Sequence, residues 1–271
     1  MMELLRATFQ LYARAFQATI LSFVRGWVIC LAVVGFVGLM ALAAALFGGL
    51  GIAGGFILGA VNALLVGATL ALIEDAVKAA RPIRFHDLWQ SLGTYFWDVI
   101  GVGFVLWIPL MLLQQALAAN PSGAFLGAAV LLLLFILLNA VPEVIYQVRH
   151  DSPLDVFRES YQFIVENWIE WFLPVALVIA PFGAGFFFHL SELTGGRAGL
   201  DVVQLLAVPL TLLTAWLTYL GVPVEAGSVL VLILTPPVTV VILLFRGHLF
   251  AALHGSSRRQ RMFRSQFGNG S

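Results

Sequence analysis

The sequence predicts an all-α, polytopic transmembrane helical bundle. Only 10% of the 271 residues are charged and 61% are hydrophobic, whereas a soluble domain carries about 25% charge. Several stretches exceed the roughly 18 apolar residues that mark a membrane-spanning helix. None of them shows the period-two alternation of barrel strands, and backbone groups in lipid must then be satisfied within helices.

Six stretches are predicted to span the membrane: 27–47, 56–79, 97–118, 124–147, 168–190 and 228–250. We interpret the first as a span rather than a cleaved signal peptide, because the basic segment before it is about 25 residues long and is patterned as a helix. The spans form a single transmembrane domain, 1–255, which is followed by a basic tail, 256–271.

The distribution of Lys and Arg predicts the sidedness of the spans. Of the 14 Lys and Arg, 13 fall in segments 6–25, 78–84, 149–158 and 246–264. The positive-inside rule places these segments, and both termini, in the cytoplasm. A seventh span at 202–220 would export the basic tail. That apolar stretch is therefore predicted to be a re-entrant or outer-surface helix that breaks near Pro209.

An amphipathic segment precedes the first, third and fifth spans. The apolar residues at helical spacing are Leu5, Phe9, Tyr12, Phe16 and Ile20, then Phe85, Trp89, Leu92, Phe96 and Ile100, then Phe157, Tyr161, Ile164 and Trp168. Such segments form helices in the membrane interface, where Trp and Tyr suit the headgroup layer. The pattern predicts a threefold internal repeat, about 1–79, 83–147 and 153–250, which bears on architecture more than on activity.

Four carboxylates are candidates for function because ionisable groups inside spans are costly. They are Glu74, Asp75, Asp98 and Glu143, and each lies close to the predicted cytoplasmic boundary, near Lys78, Arg81, Arg84 and Arg149. Two hypotheses follow. The carboxylates belong either to an inner-face charge network that fixes the repeats together, or to a proton or cation path.

A stripe of small residues recurs every four positions through the second span: Gly51, Gly55, Gly59, Ala63 and Gly67. Small residues at this interval let another helix approach closely. The stripe predicts packing against the first span, which carries Gly35 and Gly38. The alternative is self-association of two copies.

Prolines interrupt two of the predicted spans. Pro142 cannot donate to the carbonyl of Leu138, so the fourth span should kink, and the Asn139 side chain is expected to satisfy that carbonyl. Pro236 and Pro237 are predicted to break the sixth span near mid-membrane. Such breaks are either packing kinks or the discontinuous helices that form substrate sites in transporters.

The residues that usually build metal and cofactor sites are sparse. Cys30 is the single cysteine, the five histidines are scattered, and there is no P-loop, dinucleotide fingerprint or H-E-x-x-H motif. The sequence therefore predicts no metal, no cofactor and no nucleic-acid partner. Four arginines of the tail either bind anionic lipid headgroups, at roughly 1 kcal/mol each, or serve only to set topology; they are Arg258, Arg259, Arg261 and Arg264.

The run PEVIYQVRHDSPLDVFRESYQFIVENW (142–168) resembles a stretch found in a broad group of bacterial six-span membrane proteins. That group includes the membrane domain fused to some glycerophosphodiester phosphodiesterases. The resemblance implies a fold and a location in the bacterial inner membrane. It implies no catalytic residues, since no phosphodiesterase domain is present in this sequence.

The expected function is that of a non-catalytic membrane scaffold, assembly factor or accessory subunit. Its expected partners are the lipid bilayer and other membrane subunits or a second copy of the chain. The alternative is a small transporter or permease that uses spans four and six, with Glu143 at the inner gate. A lipid-modifying membrane enzyme ranks third, because no nucleophile or metal constellation supports it.

Overall fold

The computed structural model describes residues 2–78, 82–118, 123–183 and 201–254, and within these ranges the chain forms helices joined by turns. The α-helices are α1 (Met2–Arg25), α2 (Val28–Phe47), α3 (Gly51–Lys78), α4 (Phe85–Ser91), α5 (Phe96–Ala118), α6 (Gly123–Leu137), α7 (Val141–Gln147), α8 (Pro153–Ile179), α9 (Gln204–Tyr219) and α10 (Val224–Leu253). Short 3₁₀ turns follow α2, at Gly48–Leu50, and α8, at Ala180–Phe182.

Five helical segments are long and apolar enough to cross a membrane: Val28–Lys78, Phe96–Leu117, Ala129–Gln147, Pro153–Phe182 and Val224–Leu253. The first contains both α2 and α3, which pack against each other across their short connection. The predicted fold class is confirmed: the chain is an all-α, multi-pass membrane protein. The count of six spans and the threefold internal repeat remain predictions.

The first two amphipathic segments end in turns. Helix α1 packs along α10 and stops at Arg25. The second segment is shorter than predicted, because α4 ends at Ser91 and α5 begins at Phe96. Gly93, between them, has φ +87°, a conformation that glycine adopts at little cost.

The third amphipathic segment continues into the fifth span. Helix α8 begins at Pro153 and runs into the predicted fifth span, with a kink next to the predicted boundary of 168. A single residue, Asn167, departs from helical geometry with φ −125° and ψ 17°. Its side-chain amide donates to the carbonyl of Phe163 at 3.0 Å, so one buried carbonyl at this kink is satisfied by a side chain.

The predicted fourth span is two helices, α6 and α7, separated by the turn at 138–140. Pro142 occupies the first turn of α7, where a missing N–H costs nothing because that group has no partner inside the helix. The Leu138 carbonyl accepts from the N–H of Val141 at 3.1 Å. The prediction that the Asn139 side chain satisfies the Leu138 carbonyl is therefore wrong. The amide oxygen of Asn139 accepts a hydrogen bond from the Trp171 indole instead.

Two predicted breaks are wrong. Helix α9 continues through Pro209, and α10 continues through Pro236 and Pro237. The hydroxyl of Thr235 donates to the Val231 carbonyl at 2.6 Å. Packing of α10 along α1 and α9 stabilises this segment enough to outweigh the local preference of proline, which is the usual outcome in membrane bundles.

The tightly packed part of the bundle lies at one end. The fully buried side chains include Ile29 of α2, Leu72 of α3, Val144 of α7 and Leu244 of α10. Away from this end the helices expose large apolar side chains, such as Ile52 and Leu232. The structure is therefore well packed where α3, α7 and α10 end, and this is also where its charges meet.

Candidate functional site

Two buried carboxylates bind arginines that are distant in sequence. Glu143 of α7 pairs with Arg246 of α10, and Glu74 of α3 pairs with Arg149, which follows α7. With Lys78 and Tyr95, these residues form what we call the ion-pair layer: Glu74, Lys78, Tyr95, Glu143, Arg149 and Arg246. It lies at the packed end of the bundle.

The Glu143–Arg246 pair has bidentate geometry. Arg246 Nε donates to Oε1 at 2.7 Å and Nη2 donates to Oε2 at 2.9 Å. Only 2% of the Glu143 side chain is exposed, against 26% for Arg246. Parallel N–H···O bonds of this kind are the strongest form of the carboxylate–guanidinium interaction, and they commit both Glu143 oxygens to one cation.

Further contacts hold the Arg246 guanidinium in place. Its Nη2 also donates to the carbonyl of Asn139 at 2.6 Å, in the turn that separates α6 from α7. The guanidinium carbon lies 5.1 Å from the centre of the Trp171 ring, within range of a cation–π interaction. Trp171 in turn donates its indole N–H to Asn139 Oδ1 at 2.9 Å. The helix interruption is thus the place where α7, α8 and α10 are joined.

Glu74 has three partners. Lys78 Nζ donates to its Oε1 at 2.8 Å, Arg149 Nη2 reaches Oε1 and Oε2 at 2.9 and 3.1 Å, and the Tyr95 hydroxyl donates to Oε2. Burial and the bond to Glu74 raise the pKa of the Tyr95 hydroxyl well above its usual range. Arg149 is 64% exposed, so its contribution is screened more by solvent than that of Arg246.

Backbone contacts connect the two carboxylates. Lys78 also donates to the carbonyl of Tyr146 at 2.9 Å, and Gln147 donates to the carbonyl of Gly247 at 2.8 Å. Arg149 has φ +58°, which costs a non-glycine residue roughly 1 kcal/mol. The ion pair between the Arg149 side chain and Glu74 offsets that cost. Together with the bonds of Lys78 and Gln147, this pair fixes the positions of α3, α7 and α10 relative to one another.

Helix α1 is attached to the same end of the bundle. The Tyr12 hydroxyl donates to the carbonyl of Glu170 at 2.9 Å, and Ser22 Oγ lies 3.0 Å from His248 Nε2. Burial raises the pKa of Tyr12 to about 12, with a smaller contribution from the Glu170 charge. The first amphipathic helix is therefore fixed to both α8 and α10.

The other two candidate carboxylates lie beside the layer. Asp75 and Asp98 are half-buried. Asp75 has an interaction partner there. Of the four carboxylates predicted from the sequence, the structure thus places Glu74 and Glu143 on direct ion pairs within one layer.

The small-residue stripe divides into two halves. A Cβ at Gly67 would lie 3.0 Å from the carbonyl carbon of Tyr95, so the start of α5 packs directly on α3 at this point. Ala63 is buried, while Gly51, Gly55 and Gly59 are exposed, and a Cβ on any of the three would meet nothing within 4 Å. Gly35 and Gly38 likewise face open space. Helices α2 and α3 do pack against each other, but these five glycines are not in close contact there; the close approach in the stripe is between Gly67 and the start of α5.

Arg246, Tyr95 and Trp171 were not among the predicted site residues. Arg246 carried a signal, because it is the only Lys or Arg within the predicted sixth span and an intramembrane charge implies a partner. In the sequence it also belongs to the basic segment 246–264, which predicts sidedness. Arg81 and the tail arginines Arg258, Arg259, Arg261 and Arg264 lie outside the described residues.

Replacing Tyr95 with phenylalanine is expected to destabilise the protein by about 1–2 kcal/mol, because Glu74 Oε2 loses one of its two donors and keeps only the longer bond from Arg149. Unfolding in mixed micelles, followed by far-UV circular dichroism, measures the loss. Tyr161→Phe on the exposed face of α8 is the matched control. Equal stability of the two variants would contradict a role for Tyr95 in holding Glu74.

Among the described residues, no three His, Cys, Asp or Glu side chains come together as a metal-binding group. Within the layer, Glu74 and Glu143 each have a cationic partner, and each cation has a second contact to backbone or to an aromatic ring. In comparisons with known proteins, no family model, no curated protein and no solved structure matches this chain.

Proposed function

We propose that this protein is a non-catalytic scaffold or accessory subunit of the bacterial inner membrane, with both termini in the cytoplasm. The observation that carries the proposal is the Glu143–Arg246 pair, in which both carboxylate oxygens are committed to one guanidinium. A group that carries protons or cations has to exchange partners during each cycle. Glu143 instead has the satisfied surroundings of a structural residue.

The arrangement of the ion pairs also supports a scaffold. Glu74 ends the first predicted repeat, and its partner Arg149 lies in the linker between the second and third. Glu143 belongs to the second repeat and its partner Arg246 to the third. The pairs therefore join successive parts of the chain, and the exposed apolar flanks of the spans are left for lipid and for partner subunits.

Extraction into native nanodiscs tests the proposal. We expect the protein to be recovered with stoichiometric protein partners that mass spectrometry identifies. Recovery of the chain alone, as a stable monomer at its native expression level, would contradict the scaffold proposal. A reporter fused to the C-terminus should signal from the cytoplasm, and an external signal would contradict the proposed orientation.

The Glu143→Gln variant separates the scaffold from the transporter. We expect the variant to lose detergent stability, since a neutral amide replaces the partner of Arg246, while any flux measured with the wild-type protein in vesicles is unchanged. Asp155→Asn, which neutralises an exposed carboxylate on α8, is the control for a general charge effect. A variant that folds normally and has lost flux would overturn the scaffold in favour of a permease.

A further inference from the structure

A polar cavity lies between the amphipathic half of α8 and the C-terminal end of α10. Its volume is about 280 Å³, and it is lined by Glu159, Gln162, Phe163, Glu166, Asn167, Leu253 and His254. Phe163 and Leu253 are buried and form an apolar floor. No lysine or arginine is among the lining residues that the structure describes. The cavity therefore has the chemistry to receive a cation with a flat, partly apolar body.

The two carboxylates of the cavity lie on one face of α8. Glu159, Gln162 and Glu166 are spaced i, i+3 and i+7, whereas the neighbouring Arg158 lies on a different face. Glu159 Oε1 is 3.7 Å from His254 Nδ1, a distance within ion-pair range for a protonated imidazole but too long for a hydrogen bond. Glu159 and the exposed Glu166 therefore keep acceptor capacity for a guanidinium, whose forked donors suit carboxylates.

The segment that follows this cavity in the chain is strongly basic. His254 lines the cavity and is the residue directly before GSSRRQRMFRSQ, which contains Arg258, Arg259, Arg261 and Arg264 and no acidic residue. Four residues of extended chain reach about 13 Å, so Arg258 can return to the cavity from His254. Tethering of this kind gives an effective concentration of about millimolar, which favours this segment over a free cation.

We propose that the basic segment 256–271 docks on this cavity, with one or two of its arginine guanidiniums bound to Glu159 and Glu166. The docked segment would cover the junction of α8 and α10 on the side that carries the predicted cytoplasmic charges. This inference does not depend on the scaffold function, because it rests on the cavity, its charge and the continuity of the chain.

Disulfide trapping tests the docking. In a Cys30→Ala background, Gln162→Cys and Gln260→Cys place one thiol in the cavity and one in the segment while keeping all of its arginines. In phosphatidylcholine nanodiscs under a mild oxidant, we expect the rate of disulfide formation to fall about fivefold to tenfold when Glu159→Gln and Glu166→Gln are added, since two exposed charge pairs are lost. The rate should fall similarly at high salt.

The matched control is Asp151→Asn with Asp155→Asn, which removes two carboxylates near the start of α8 that do not line the cavity. We expect it to leave the disulfide rate unchanged, and thermal melting checks that both double variants are folded. Equal rates in the cavity and control variants would overturn the proposal, because the tether alone would then explain the contact. Limited proteolysis in nanodiscs of phosphatidylcholine or phosphatidylglycerol distinguishes the cavity from lipid as the binding partner. If the disulfide rate does not depend on Glu159 and Glu166, and the segment is protected from protease only in phosphatidylglycerol, its arginines bind lipid and the proposal is overturned.

Discussion

Replacing Arg246 with methionine is expected to destabilise the folded protein by about 3 kcal/mol or more, the largest effect of any single change in the ion-pair layer. The variant keeps the apolar stem but leaves Glu143, 2% exposed in its side chain, with neither of its charged hydrogen bonds. Removing one partner of a buried pair costs about 3–5 kcal/mol, because the remaining charge is left uncompensated. The carbonyl of Asn139 and the ring of Trp171 lose the same partner.

The free energy of unfolding in mixed micelles measures this effect, and Arg158→Met, at an exposed position on α8, is the matched control. The control should change stability by less than about 0.5 kcal/mol. The double variant Glu143→Leu with Arg246→Met should recover most of the loss, because an apolar pair replaces the ion pair without leaving a buried charge. If Arg246→Met is as stable as the control, the pair does not hold the bundle together.

Replacing Gly67 with alanine is expected to cost about 2–3 kcal/mol, the second large effect. The new Cβ would lie 3.0 Å from the Tyr95 carbonyl carbon and 3.2 Å from the Phe96 nitrogen. Both are backbone atoms that no rotamer change can move, so α5 must shift away from α3, and overpacking of this kind costs about 1–3 kcal/mol. The same shift would lengthen the bond between Tyr95 and Glu74, which places the expected loss at the upper end.

Gly59→Ala, two turns earlier in the same stripe, is expected to have the opposite sign. It is exposed and its Cβ would meet nothing within 4 Å, so the gain of about 0.5–1 kcal/mol from alanine in a helix should appear. Thermal unfolding and size-exclusion chromatography of both variants measure the difference. A loss of stability in Gly59→Ala, together with a change in oligomeric state, would show that this half of the stripe contacts a second copy instead of lipid.

The local sequence pattern was sufficient to predict some helix boundaries but not to predict whether a helix continues through a proline. The expected starts and ends of α2 and α5 differ from the observed ones by a residue or so, because long apolar runs and uncharged turns mark them directly. The breaks expected at Pro209 and Pro236 do not occur. A proline lowers the stability of a helix locally by a few kcal/mol, and the packing of α9 against α10, and of α10 against α1 and α9, recovers more than that. Packing between helices is not visible in the pattern of a single segment.

For the candidate site, the sequence alone singles out four carboxylates at one end of the predicted spans, and two of them, Glu74 and Glu143, form direct ion pairs in the structure. A charge in an apolar run is costly wherever the rest of the chain goes, so Glu74 and Glu143 stand out from composition alone. The proximity of Glu74 to Lys78 was also visible, at one helical turn. The pairing of Glu74 with Arg149, and of Glu143 with Arg246, 103 residues along the chain, becomes visible only in the folded protein. Partners that far apart are set by how α3, α7 and α10 pack, and the local pattern that determines each helix carries no information about which helices become neighbours.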